Sequence, residues 1–148
     1  MIDLSPEDIA FLRQARVAHL ATASAAGEPH VIPVCFAFDG DHLFTAIDAK
    51  PKRAPLGHLR RVRNLRENPR ISLVVDSYEE DWGRLRHVLI VGRGEILDEG
   101  DDRERGLDLL REKYPQYRAM ADLGRGPVIR ITPDRVVSWR ASPSPDPA

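Results

Sequence analysis

The sequence predicts a mainly β chain: six or seven antiparallel strands with three inserted helices, closed into a small barrel. Three observations carry this expectation. Apolar and β-branched runs recur along the chain, separated by turn residues at hairpin spacing. Three other segments place apolar residues at helical spacing, the first behind a start signal and the second before a stop. The 148 residues, 42% hydrophobic and 30% charged, suffice to bury roughly 68–70% of the unfolded chain's surface around one core.

Ser5-Pro6-Glu7-Asp8 opens the first helix, with Ser5 as cap, Pro6 in the first turn and Asp8 where a capping-box acid belongs. Val17–Ala23 reads as a strand, Ser24–Pro29 as a turn, and His30–Phe38 as one second strand. Pro33 inside that run cannot donate a ladder hydrogen bond. It requires an edge, a bulge, or a neighbour other than a strand, such as a ligand. Asp39-Gly40-Asp41 turns into a third strand, His42–Ile47. After the loop Asp48–Gly57, Leu59, Val62 and Leu65 mark a second helix that Asn68-Pro69 stops. Arg70–Asp76 and Arg86–Leu97 follow as strands, the latter bent or bulged at Gly92 and Gly94. Asp101–Tyr114 is the third helix, with Leu107, Leu109 and Leu110 apolar. Val128–Thr132 and Arg135–Arg140 close the chain as a hairpin across Pro133-Asp134.

The 22 Lys and Arg against 23 Asp and Glu give a net charge of −1, so no global field draws nucleic acid or an anionic membrane. Locally the balance differs. From Lys50 to Arg70 there are eight cations against Glu67 alone, a net of +7. Two lysines in a Pro-bearing loop, feeding a helix with arginines a turn apart, form a plausible phosphate clamp or else a solvated face. No aromatic is interleaved to stack bases, which argues against a nucleic-acid site.

Cys35, the single cysteine, excludes an internal disulfide and reads as a buried, inert thiol. The five histidines show no metal-ligand spacing, so no metal is expected. The nucleophile-elbow, P-loop and dinucleotide-binding signatures are all missing. Trp82 and Trp139 read as core or interface packing, with walling of a planar cofactor as the second option. The N-terminus has neither a basic n-region nor an apolar h-region, and no apolar run approaches ~20 residues. The expectation is a cytoplasmic protein in which any redox chemistry belongs to a bound cofactor.

Val17-Ala18-His19-Leu20-Ala21-Thr22, followed by Gly27-Glu28-Pro29-His30-Val31-Ile32-Pro33-Val34, resembles the opening of the pyridoxamine 5′-phosphate oxidase-like split barrels. Arg61-Val62-Arg63-Asn64-Leu65-Arg66-Glu67-Asn68-Pro69-Arg70 is similar to that family's basic Asn-Leu and Pro-Arg block. The nearest branch in pattern is that of the small flavin/deazaflavin oxidoreductases. The resemblance implies a homodimeric antiparallel split β-barrel over residues 1–140, and the Pro/Ser composition of 141–148 predicts a disordered tail after it. It implies a cofactor at the subunit interface, coenzyme F420 or alternatively FMN. Its ring would lie along Val31, Ile32, Pro33 and Val34 and be flanked by Thr45, Ala46 and Ile47. Lys50, Lys52, Arg61 and Asn64 would hold the phosphate or polar tail, and Trp82 and Trp139 would come from the opposite subunit.

Authentic pyridoxamine 5′-phosphate oxidases end in an arginine- and histidine-bearing motif that Ala141–Ala148 lacks, which disfavours vitamin B6 oxidation. The implied activity is hydride transfer between reduced deazaflavin and a small unsaturated or conjugated acceptor. An FMN flavoprotein of the same fold and a non-catalytic flavin- or haem-binding barrel stand as alternatives. Partners are the second subunit and a small-molecule substrate, with no nucleic acid and no membrane.

Overall fold

The computed structural model describes residues 2–47, 59–120 and 123–142. Seven strands build one antiparallel sheet: β1 (Ala18–Ala23), β2 (Pro29–Val34), β3 (Ala37–Phe38), β4 (Leu43–Ala46), β5 (Arg70–Ser77), β6 (Arg86–Leu97) and β7 (Val128–Arg140). Their order is β2-β1-β5-β6-β7-β4-β3. Four helices are described: α1 (Pro6–Gln14), α2 (Arg60–Glu67), α3 (Asp101–Lys113) and the single turn α4 (Pro115–Arg118). The sheet curls into a half-barrel around a cluster that draws on both its ends. Val34 from β2 and Phe38 and Leu43 from β3 and β4 share it with Leu20, Leu73, Val75, Val88 and Ile90 from the middle. A second cluster, with Phe44, Ala46 and Val128, forms where α3 packs Leu107 and Leu110 against β4.

Seven strands match the expected number, but three of them, β2, β3 and β7, are composed differently. The run His30–Phe38 is not one strand. Its first part, β2, pairs only with β1, while Ala37-Phe38 pairs with β4. The reason is local: the Tyr114 hydroxyl accepts from the Phe36 N–H at 3.1 Å and donates to the Arg16 carbonyl at 2.8 Å. A side chain therefore satisfies backbone that a ladder would otherwise hold. Pro33, opposite His19, lies on an edge strand, and that position alone accommodates it without a ligand.

The second correction concerns the chain's end, where no hairpin forms across Pro133-Asp134. β7 runs continuously, pairing with β4 through its first residues and with β6 along its length. Val91 faces Arg135 and Gly92 faces Pro133, so Asp134 is the extra residue of a β-bulge, the feature that Gly92 announced. Pro133 is tolerated there because the ladder is already interrupted. Gly92 is required because a Cβ on it would lie 2.2 Å from the Thr132 carbonyl oxygen.

Ser5 caps α1 as expected, accepting from the Asp8 N–H at 3.1 Å. Asp8 is not the returning half of a capping box. Its carboxylate accepts from Arg86 and from Ser138, both at 2.9 Å, and so ties α1 to β6 and β7. On α2, Val62 and Leu65 enter the core. Asn64 is buried beside them and donates its amide to the Thr22 hydroxyl at 3.0 Å, fixing α2 on β1.

Candidate functional site

Strand alternation sends Leu20, Leu73, Val75, Val88 and Ile90 inward, so the intervening residues line the outer face. The register arranges them in rows. Val31 lies beside Ala21, Ala21 beside Ser72, and Ser72 beside Val91; Val74 lies beside Leu89, and Leu89 beside Val137. Trp139 stacks on His87 with ring centroids 5.5 Å apart at 22°. Val31 keeps 64% of its surface exposed, Trp139 45% and Val137 43%. Large apolar side chains grouped on one open sheet face mark a binding surface rather than scatter.

Each end of this face holds a cleft. One, of about 510 Å³, has a floor of small residues including Ala21, Ala23, Ser72 and Gly92, with Arg70 and Arg93 on its rim. Those two arginines are direct cross-strand partners. Like charges so placed repel unless an anion joins them, and Asp134, supplied by the bulge, approaches Arg93 only to 3.9 Å. The other cleft, about 490 Å³, is bordered by Phe11, Arg16, Val17, His19 and Asp76. Both volumes suit part of a small-molecule ligand.

The expected site residues do not all meet here. Val31 and Pro33 are exposed on β2, Ile32 is half-buried, and Val34 turns into the core. Thr45, Ala46 and Ile47 are buried, and β4 is separated from β2 by four strands in the sheet order. Arg60, Arg63 and Arg66 are exposed on α2 and Arg61 is half-buried, whereas Asn64 faces inward to Thr22. Lys50 and Lys52 lie outside the described residues, as does the tail beyond 142.

Neither tryptophan is core. Trp82 is 67% exposed, with its indole N–H 3.4 Å from the Tyr78 hydroxyl. Cys35 is half-buried rather than fully enclosed. The Arg70–Arg93 pair escaped the sequence reading, as did the place of Asp134 as the extra residue of the bulge that Gly92 announced. The displaced titrations of Lys113 and Tyr114 belong to the end of α3, not to this face. Among the described residues no group of three or more His, Cys, Asp or Glu gathers to hold a metal, and no helix is long and apolar enough to cross a membrane.

The family model described as pyridoxamine 5′-phosphate oxidase matches residues 4–140. The chain belongs to the pyridoxamine 5′-phosphate oxidase family. A relative within reach of sequence comparison is the 5a,11a-dehydrotetracycline/5a,11a-dehydrooxytetracycline reductase of Streptomyces rimosus, 33% identical over 134 residues, which cover 90% of this chain and 80% of the relative. Among solved structures, a conserved hypothetical protein from Mycobacterium tuberculosis superposes with a TM-score of 0.75 at 25% identity, over 94% of this chain and 86% of its own. An F420 reductase gives 0.63 at 22% identity, over 86% and 94%. The haem storage protein of Vibrio cholerae gives 0.73 at 19%, over 93% and 96%. The last two likenesses speak to the fold alone. The family and the reductase relative together support an oxidoreductase with a flavin-type cofactor.

Proposed function

We propose that this pyridoxamine 5′-phosphate oxidase family member is a homodimeric, F420-dependent reductase of small conjugated acceptors. The observation that carries the reading is the 33% identity to a dehydrotetracycline reductase across 90% of the chain. A polycyclic enone of that kind is the substrate class it suggests. When bound, a reduced deazaflavin would supply a hydride, one hydrogen with its electron pair, to an electron-poor carbon.

The residues present suit such a group. The outer face offers apolar side chains in Val31, Leu89 and Val137, and a small-residue cleft edged by Arg70 and Arg93. In this reading Val31, Ile32 and Pro33 meet the ring, while Lys50, Lys52 and Arg61 hold the anionic tail as charge-assisted donors. Val34, Thr45, Ala46, Ile47 and Asn64 set the positions of β2, β4 and α2 from behind. A second copy, covering the outer face, excludes water from the pocket and brings Trp139 and Trp82 toward the opposite site. FMN fills the same description, having a flat ring and an anionic tail.

Equilibrium titration with F420 and with FMN, followed by tryptophan fluorescence, decides between them. F420 should bind the more tightly of the two; preferential FMN binding would make the protein a flavoprotein of the same fold. A haem-binding role, suggested by His87 and His19 on the open face, predicts a hemin Soret shift that His87→Ala abolishes.

A further inference from the structure

Lys113, the last residue of α3, is one of three lysines in a chain with 22 Lys and Arg, and the reading above gives it no part. Its ammonium group lies over the Phe36 ring, 3.9 Å from the centroid, and 3.4 Å from the Leu12 carbonyl oxygen. The side chain is half-buried and lines a cleft of about 330 Å³ together with Arg13, Ala37, Phe38, Leu109 and Glu112. The charged and titratable groups around it come from three elements. Arg13 belongs to α1, and Arg16, just beyond it, donates to the Lys113 carbonyl at 2.9 Å. Cys35 comes from the β2–β3 connection, and Glu112 and Tyr114 are its chain neighbours. Burial in this apolar corner, with the Arg16 cation beside it, lowers the amine to about 8 from an ordinary 10.5.

We propose that Lys113 is a covalent capture site for a small carboxylate-bearing aldehyde, with Nζ as the nucleophile and Arg13 facing the carboxylate. The neutral amine adds its lone pair to the carbonyl carbon, the C=O electrons move to oxygen, and the carbinolamine loses water to leave an imine. One C–N double bond replaces the C=O bond, one water is released, and nothing is oxidised or reduced. Deprotonation of the ammonium delivers its proton to solvent. The geometry favours this step because the amine is held at a cleft wall instead of sweeping through solvent, and burial beside Arg16 leaves it neutral more often than an exposed lysine. Near pH 7.5 the neutral fraction exceeds that of an unperturbed lysine by about 200-fold. If lower basicity weakens the nucleophile as it does for thiols, roughly tenfold of that advantage is lost, leaving about tenfold to twentyfold.

The experiment treats the full chain with glyoxylate and cyanoborohydride at pH 7.5 and maps the reduced adducts by peptide mass. Lys113 should be labelled about tenfold faster than Lys50 and Lys52, with a rate that rises through a midpoint near 8. Labelling no faster than at the other two lysines, or a midpoint at the ordinary 10.5, overturns the proposal. Lys113→Arg keeps a cation over Phe36 and so preserves the fold; it should abolish the fast adduct while leaving thermal unfolding and F420 or FMN binding unchanged. Arg13→Gln should slow glyoxylate severalfold and leave propanal unaffected. Equal slowing of both, or of neither, would refute the carboxylate assignment.

Discussion

Asp8→Ala tests how α1 is fastened to the barrel. The carboxylate accepts from Arg86 and Ser138, each at 2.9 Å, and the paired side chains of Arg86 and Asp8 retain only 19% and 10% of their exposure. Removing one partner of a buried pair typically costs about 3–5 kcal/mol, since the other charge is left without compensation. Arg86 keeps some solvent and lies 4.1 Å from the Phe11 ring centroid, which softens that loss. The forfeited Ser138 bond adds about 1 kcal/mol.

A net loss of about 3 kcal/mol follows, equivalent to roughly 6–12 °C in melting temperature for a chain of this size. Urea unfolding followed by tryptophan fluorescence measures it. Asp8→Asn, which can still accept from Ser138, should lose less. Asp8→Leu combined with Arg86→Met should fall closer to wild type than Asp8→Ala does, because no buried charge remains unpaired. A loss under ~0.5 kcal/mol in Asp8→Ala would refute the fastening role and leave Asp8 as an ordinary acid in the first turn of α1.

The other predictions concern the bulge, the helix anchor, pH and the cofactor tail. Gly92→Ala should unfold more easily by at least ~2 kcal/mol, because its Cβ would meet backbone oxygen at 2.2 Å, where no side chain can yield. Asn64→Ala leaves the Thr22 hydroxyl buried without its donor and should cost about 1–3 kcal/mol in chemical denaturation. For Lys113, whose folded value is depressed to about 8, the unfolded state binds more protons above that pH. Stability should therefore rise with pH from about 8 toward 10, by about 1 kcal/mol after allowing for solvent screening. Above 10 the raised Tyr114 opposes the gain, because the unfolded phenol ionises first. Subtracting the pH–stability curve of Lys113→Met isolates the lysine's part. Lys52→Ala with Arg61→Ala should weaken cofactor binding at least tenfold without lowering the melting temperature; unchanged binding would remove those residues from the tail site.

Elements whose signals are local were legible in the sequence. Ser5 before Pro6 placed α1, Asn68-Pro69 ended α2, and the apolar run within Arg86–Leu97, interrupted at Gly92 and Gly94, gave β6 with its correct bounds. The errors came from partners distant in sequence. Nothing around Cys35-Phe36 announces that Tyr114, 78 residues later, takes the Phe36 N–H and divides the strand. Pro133-Asp134 looks like a turn until Gly92 lies opposite and makes it a bulge within one strand. Asp8 likewise carries a capping signature while its carboxylate is claimed by Arg86 and Ser138. At the site, the basic composition of Lys50–Arg70 was visible, but the pairing of Arg70 with Arg93 across two strands depends on register, which composition does not encode. The outward turn of Val31, Val137 and Trp139 depends on it too.

The most direct test of the proposed chemistry mixes the protein anaerobically with reduced F420 and a conjugated enone and follows the return of the oxidised deazaflavin absorbance. Oxidation that requires both protein and acceptor, with one reduced acceptor formed per cofactor, is the predicted result. No turnover of reduced F420, alongside efficient turnover of reduced FMN under the same conditions, would contradict it.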